Sequence, residues 1–165
     1  MHDNMTKTRP RALLAAVGDA QNPTIYSGTP HHFLQAAKSA GLLDEGLPLS
    51  ANGLPWQLRR AAWNVGRLLA KERHGGYQYS VPFLESLWGT HRDLCRGCVV
   101  MNCYQLFPPS VVNDPTIEKW YFIDQTLLQL FDHYGQRACV GPGILQDAVD
   151  RERQGYLSAT GVIAN

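Results

Sequence analysis

Two patterns of hydrophobic positions recur along the chain: short unbroken apolar runs, and longer stretches with apolar residues three and four apart. Ala12-Leu13-Leu14-Ala15-Ala16-Val17 is the first run, and Gly18 with the turn-rich Asp19 to Pro23 punctuates its end. That combination predicts a strand buried on both faces of a parallel sheet. A second strand is predicted within Gly97 to Tyr104, at Cys98-Val99-Val100-Met101-Asn102-Cys103-Tyr104, stopped by Phe107-Pro108-Pro109, where no ladder continues. Gly161-Val162-Ile163-Ala164 is a third strand-like run.

Helical spacing fills the intervals. Ser27-Gly28-Thr29-Pro30 supplies cap residues and an early proline for a helix over His31 to Ala40, closed by Gly41, with Phe33, Leu34, Ala37 and Ala40 on one stripe. A Gly/Pro-rich connection, Gly46 to Pro55, leads to a longer helix in which Leu58, Ala61, Ala62, Val65, Leu68 and Leu69 recur, with Arg59, Arg60 and Arg67 read as its solvated face. Gly75-Gly76 ends it. Tyr77 to Gly89 is aromatic and irregular, with a helical turn or two at Pro82 to Trp88. Asp114-Pro115-Thr116 is expected to open a helix that turns Ile117, Trp120, Tyr121, Ile123, Leu127, Leu128 and Phe131 inward and closes at Gly135. Ile144 to Leu157 is the last amphipathic stretch.

Buried strands alternating with helices imply a single α/β domain over residues 1–165, Rossmann-like, with a mostly parallel sheet and helices on both faces. The last strand leaves part of one sheet face without cover, so the natural protein is expected to continue past Asn165.

Composition narrows the function. The 165 residues are 44% hydrophobic and 18% charged, enough for one core, and the formal net charge of +1 offers no field for nucleic acid. Apolar stretches fall far short of the roughly 20 residues that span a bilayer, and no secretion signal opens the chain, so a cytoplasmic location is expected. The 4 cysteines read as free thiols.

Candidate chemistry gathers at strand ends. The loop Ser27, Gly28, Thr29 and Pro30 precedes a helix whose free N–H groups suit an anion, though a capped helix start with nothing bound demands the same residues. His31 and His32 sit in its first turn, where a histidine donates a proton or binds an anion. Asn102, Tyr104 and Gln105 end a buried strand and are candidates for the same crevice, Asn102 reading equally as a satisfied polar group inside the sheet. In Gly75-Gly76-Tyr77-Gln78-Tyr79-Ser80, the rings of Tyr77 and Tyr79 with the Gln78 amide suit a sugar, and a packed interhelical loop is the competing reading. No Gly-x-Gly-x-x-Gly and no Gly-Lys-Ser/Thr is present, which removes dinucleotide and P-loop chemistry. Cys95-Arg96-Gly97-Cys98 has CxxC spacing, with His91, Cys103 and His133 as conceivable further zinc ligands, but a structural zinc site needs a second pair of suitable spacing.

Taken together, Ile25-Tyr26-Ser27-Gly28-Thr29-Pro30, Gly75-Gly76-Tyr77-Gln78-Tyr79-Ser80, and Arg151-Glu152-Arg153 with Tyr156 before Gly161-Val162-Ile163-Ala164-Asn165 resemble the bacterial glycosyltransferase family 4 (group 1) proteins, of GT-B fold. The resemblance implies the N-terminal half of that architecture: a retaining transferase moving a sugar from a nucleotide-sugar donor to a carbohydrate or lipid-linked acceptor, with no cofactor and no required metal. It implies that Ser27-Gly28-Thr29 approaches the donor diphosphate, that Tyr77, Gln78, Tyr79, Asn102, Tyr104, Gln105 and Asn165 border the acceptor cleft, and that the nucleotide is gripped by a C-terminal domain absent from this sequence. Alone, these 165 residues are then expected to be inactive. Many relatives place a histidine after a central strand; Asn102-Cys103-Tyr104-Gln105 stands there in this chain, so no catalytic residue is assigned. Membrane association is open to enzymes with lipid-linked acceptors. The alternative is a non-catalytic Rossmann-like binding or interaction module.

Overall fold

In the computed structural model, residues 9–73 and 75–164 are described. Five strands, β1 (Ala12–Val17), β2 (Glu45–Leu49), β3 (Val99–Asn102), β4 (Glu118–Ile123) and β5 (Gly161–Ala164), form one sheet in the order β2-β1-β3-β4-β5. Every neighbouring pair is parallel. Among the described residues seven α-helices accompany them: α1 (Thr29–Ser39), α2 (Leu54–Leu69), α3 (Val81–Trp88), α4 (Arg92–Cys95), α5 (Pro109–Val112), α6 (Leu127–His133) and α7 (Pro142–Ser158). The Rossmann-like α/β expectation therefore holds, with 2-1-3-4-5 as one of the two common doubly wound orders.

β1 shows why its apolar run is unbroken: both of its faces are covered. Leu13 and Ala15 enter the larger core, with Trp88, Tyr121, Leu127 and Phe131. Ala12, Leu14 and Ala16 enter a smaller one under α1, with Leu34, Ala37 and Leu43. The smaller core runs out toward β5, where Val162 and Ile163 remain 43% and 38% exposed.

Three expectations need correction. Residues 117–131 are not one helix: Glu118–Ile123 is β4 and the helix begins at Leu127. Lys119, Tyr121 and Ile123 alternate inward with period two, and Thr126 caps the helix with Gln129 in a reciprocal capping box, so the helical start signal sits twelve residues later than Asp114. Within the Gly46 to Pro55 connection, the first four residues belong to β2, whose Leu47 and Leu49 are buried; Pro48 is tolerated because β2 is an edge strand.

The third correction concerns α2, which buries none of its residues fully. Trp56 and Trp63, seven residues apart, face the body, at 5.4 Å from the Phe83 ring and 5.8 Å from the Tyr77 ring. Arg59 and Arg67 lie over those tryptophans at 5.5 and 5.7 Å. The rings of Phe83 and Tyr77 on the body give the two indoles aromatic partners, and the indoles take the inward face. Leu54, Leu58, Val65, Leu68 and Leu69 point to solvent, between 55% and 79% exposed. Among the described residues no helix is long and apolar enough to cross a membrane.

Candidate functional site

Open parallel sheets collect ligands beyond the carboxyl ends of their strands, where the strand order reverses. That point lies between β1 and β3, and a cavity of about 330 Å³ opens there. β1 delivers Val17, the loop before α1 delivers Tyr26, Thr29 and Pro30, and the residues after β3 deliver Cys103, Tyr104 and Gln105. Phe122, Asp124 and Gln125 come from the end of β4, Gln78 and Tyr79 from the segment leading into α3, and Phe83 from α3 itself.

The loop before α1 is unusual in its backbone. Tyr26, Ser27 and Gly28 have φ of 47°, 56° and 83°, three consecutive residues in left-handed space. For a bulky residue such as Tyr26 that conformation is a genuine outlier, the kind that clusters at functional sites. Gly28 is buried, and a Cβ there would stand 3.1 Å from the Pro23 carbonyl oxygen. No side chain caps α1; its Thr29 N–H donates to the Tyr26 carbonyl oxygen and Pro30 has none, so the Ser or Thr cap expected from the sequence is replaced by a backbone hydrogen bond. Ser27 is exposed and outside the cavity lining, and His31 Nδ1 donates to the Gln21 carbonyl oxygen at 2.8 Å, holding the loop rather than the cavity.

The other candidates divide. Tyr104 and Gln105 line the cavity; the Tyr104 hydroxyl donates to the Gln78 carbonyl at 3.1 Å, and the Gln105 amide to the Gln125 carbonyl at 3.4 Å. Asn102 is fully buried beneath them, giving a hydrogen bond to the Leu106 carbonyl and taking one from the Tyr104 N–H, both at 3.1 Å. It shapes the turn that presents Tyr104. Tyr77 is buried among Trp63 and Phe83, away from the cavity that Gln78 and Tyr79 reach. Gly75 and Gly76 are packing devices: a Cβ on Gly75 would lie 2.5 Å from the Cys139 carbonyl oxygen, and one on Gly76 2.7 Å from Val140. Asn165 lies outside the described residues.

Asp124 and Gln125 are not expected from the sequence, because Asp114-Pro115-Thr116 imitates a helix start and masks the strand that ends before them. The signal that finds them is a polar pair directly after an alternating strand. Asp124 is the one ionisable acid or base besides phenols and a thiol among the lining residues. Burial, then the Asp124 charge, pushes the Cys103 thiol up to about 12. Burial likewise raises Tyr26, Tyr79 and Tyr104, so the phenols stay neutral at physiological pH and serve as hydroxyl donors and stacking faces.

Helix α7 braces two walls of the crevice. Arg151 donates to the Tyr79 carbonyl oxygen, and Glu152, buried, accepts from the Leu127 N–H at the start of α6 at 2.8 Å. The Arg-Glu pair of the third motif therefore fixes the loops carrying Tyr79 and Asp124.

The CxxC residues lie elsewhere. Cys95 and Cys98 are free and buried in a turn, and burial pushes Cys95 up to about 12, the opposite of what redox or metal-binding thiols need. Among the described residues no three His, Cys, Asp or Glu side chains are grouped to hold a metal. Compared with family models, curated proteins and solved structures, the chain matches none.

Proposed function

We propose that this chain is the acceptor-side domain of a nucleotide-sugar glycosyltransferase, with the crevice beyond β1, β3 and β4 receiving a neutral carbohydrate acceptor. The lining carries this reading. Tyr26 and Tyr104 offer aromatic faces, Gln78, Gln105 and Gln125 offer amides, and Asp124 offers one carboxylate. Rings stack on the apolar faces of a sugar, amides give and take hydrogen bonds from adjacent hydroxyls, and the carboxylate accepts a hydroxyl hydrogen.

A phosphate would meet no Lys, Arg or His among those lining side chains. The donor diphosphate belongs instead at the crevice edge, against the N-terminus of α1, and in a second domain outside these residues. In the transfer, the acceptor oxygen bonds to the anomeric carbon as the bond from that carbon to the diphosphate breaks, and the hydroxyl proton passes to the leaving diphosphate oxygen. Asp124 holds the acceptor hydroxyl in place, and the positive end of the α1 dipole favours the charge developing on the leaving diphosphate.

The test is release of nucleoside diphosphate from nucleotide sugars by the full-length gene product, with and without added glycosides. Glycoside-dependent release that falls at least tenfold in Asp124→Asn is expected. Glycoside binding with no release from any nucleotide sugar would instead support the carbohydrate-binding module, a reading favoured by the lack of a cation in the cavity lining.

A further inference from the structure

We infer that a second cavity, which adjoins the crevice at Gln78, is a binding site for a small phosphate monoester. The inference rests on a different set of side chains and is independent of the sugar reading of the crevice. This cavity, of about 490 Å³, opens between α2, the Gly75-Gly76 turn and the segment from Tyr134 to Val140. No residue of the loop before α1 lines it, which separates it from the place given to the donor diphosphate.

Charge identifies the ligand. Arg60 and Asn64, one turn apart on α2, and Arg73 just beyond the helix line the cavity, and none of the described lining residues is Asp or Glu. Neighbouring arginines are neutralised within the chain: Arg67 pairs with Glu72 at 2.6 Å, and Arg137 pairs with Asp132. Among the described residues Arg60 and Arg73 form no ion pair, so both positive charges face the opening uncompensated. Arg73 is also held in place, because its Nη1 donates to the Arg137 carbonyl oxygen at 2.7 Å. The walls are tied together by the Gly75 N–H, which donates to the Cys139 carbonyl oxygen at 3.1 Å.

A phosphate monoester brings close to two negative charges and three terminal oxygens, which two guanidinium forks match with charge-assisted hydrogen bonds. A carboxylate brings one charge and two oxygens and would leave one arginine unanswered. The Asn64 amide and the Tyr134 hydroxyl remain for the polar body that the phosphate carries. The volume leaves room for that body, since small-molecule sites run from roughly 300 to 1,000 Å³.

Backbone NMR of the chain titrated with glycerol phosphate or inorganic phosphate at constant ionic strength, with glycerol as the neutral control, tests this. Saturable shifts centred on Asn64, Gly75 and Gly76 are expected with both phosphates and not with glycerol. The affinity should fall about tenfold or more in Arg60→Gln with Arg73→Gln, with circular dichroism unchanged. It should stay unchanged in Lys38→Gln with Arg153→Gln, which remove the same charge at exposed positions outside the cavity. Glycosides are titrated separately, so this reading and that of the crevice can each fail alone. No saturable shifts on the native chain, shifts scattered over the surface, or an equal loss in both pairs of substitutions would overturn the inference.

Discussion

The Tyr156 hydroxyl donates a 2.7 Å hydrogen bond to Oε1 of Glu152 one turn earlier on α7, and the same oxygen accepts from the Leu127 N–H. Burial nevertheless outweighs these two donors and holds the Glu152 carboxyl above its ordinary 4.5. A group whose folded value is raised favours the fold fully below its unfolded value and loses that contribution as pH rises through the folded one. Glu152→Gln keeps an accepting oxygen and cannot ionise. Denaturant unfolding of both proteins between pH 4.5 and 7 should show the native chain losing stability relative to the variant as pH rises. A gap constant with pH would contradict the burial of this carboxylate.

Gly155 sits one position earlier than Tyr156 and faces Tyr121, whose hydroxyl oxygen would lie 2.1 Å from a Cβ built on it. Gly155→Ala is expected to cost about 2 kcal/mol by overpacking, despite alanine's better helix propensity. Tyr121→Phe removes the colliding oxygen and leaves a contact near 3.1 Å. The double variant should recover most of the loss in urea unfolding. Additive losses would mean that α7 and β4 do not approach this closely.

Gly28→Ala places a side chain at φ of 83° and pushes it against the Pro23 carbonyl. A cost of about 1–2 kcal/mol is expected from the left-handed backbone. Because the shift is passed to Tyr26 and Thr29, glycoside affinity should fall with it. Stability and affinity both matching the native chain would show that this loop does not set the crevice.

The fold was legible where a segment had one dominant signal. β1, β3 and β5 stood out as unbroken apolar runs, and α7 as a long amphipathic stretch. β4 was not, because Asp114-Pro115-Thr116 imitates a helix start while the alternation of Lys119, Tyr121 and Ile123 contains a lysine on the inward face. That lysine is tolerated because its Nζ donates to the carbonyls of Asp114 and Ile117 at 2.8 and 2.9 Å, a local solution that no pattern announces. α2 misled for another reason: periodicity finds an apolar stripe but does not say which side of the helix meets the body. At the site, Thr29, Pro30, Gln78, Tyr79, Tyr104 and Gln105 were readable as strand-end or glycine-flanked polar and aromatic residues. Asp124 was hidden by the misread strand, and Asn102 and Tyr77 proved to be buried supports beneath and behind the cavity.

Saturation-transfer NMR of the chain with simple neutral glycosides and, separately, with a nucleoside diphosphate tests the central claim about the crevice most directly. Transfer to the glycoside ring protons is expected, reduced at least fivefold in Tyr104→Ala and in Asp124→Asn, with weaker transfer to the nucleoside diphosphate. Transfer to the nucleoside diphosphate alone, or glycoside transfer unchanged in both variants, would contradict it.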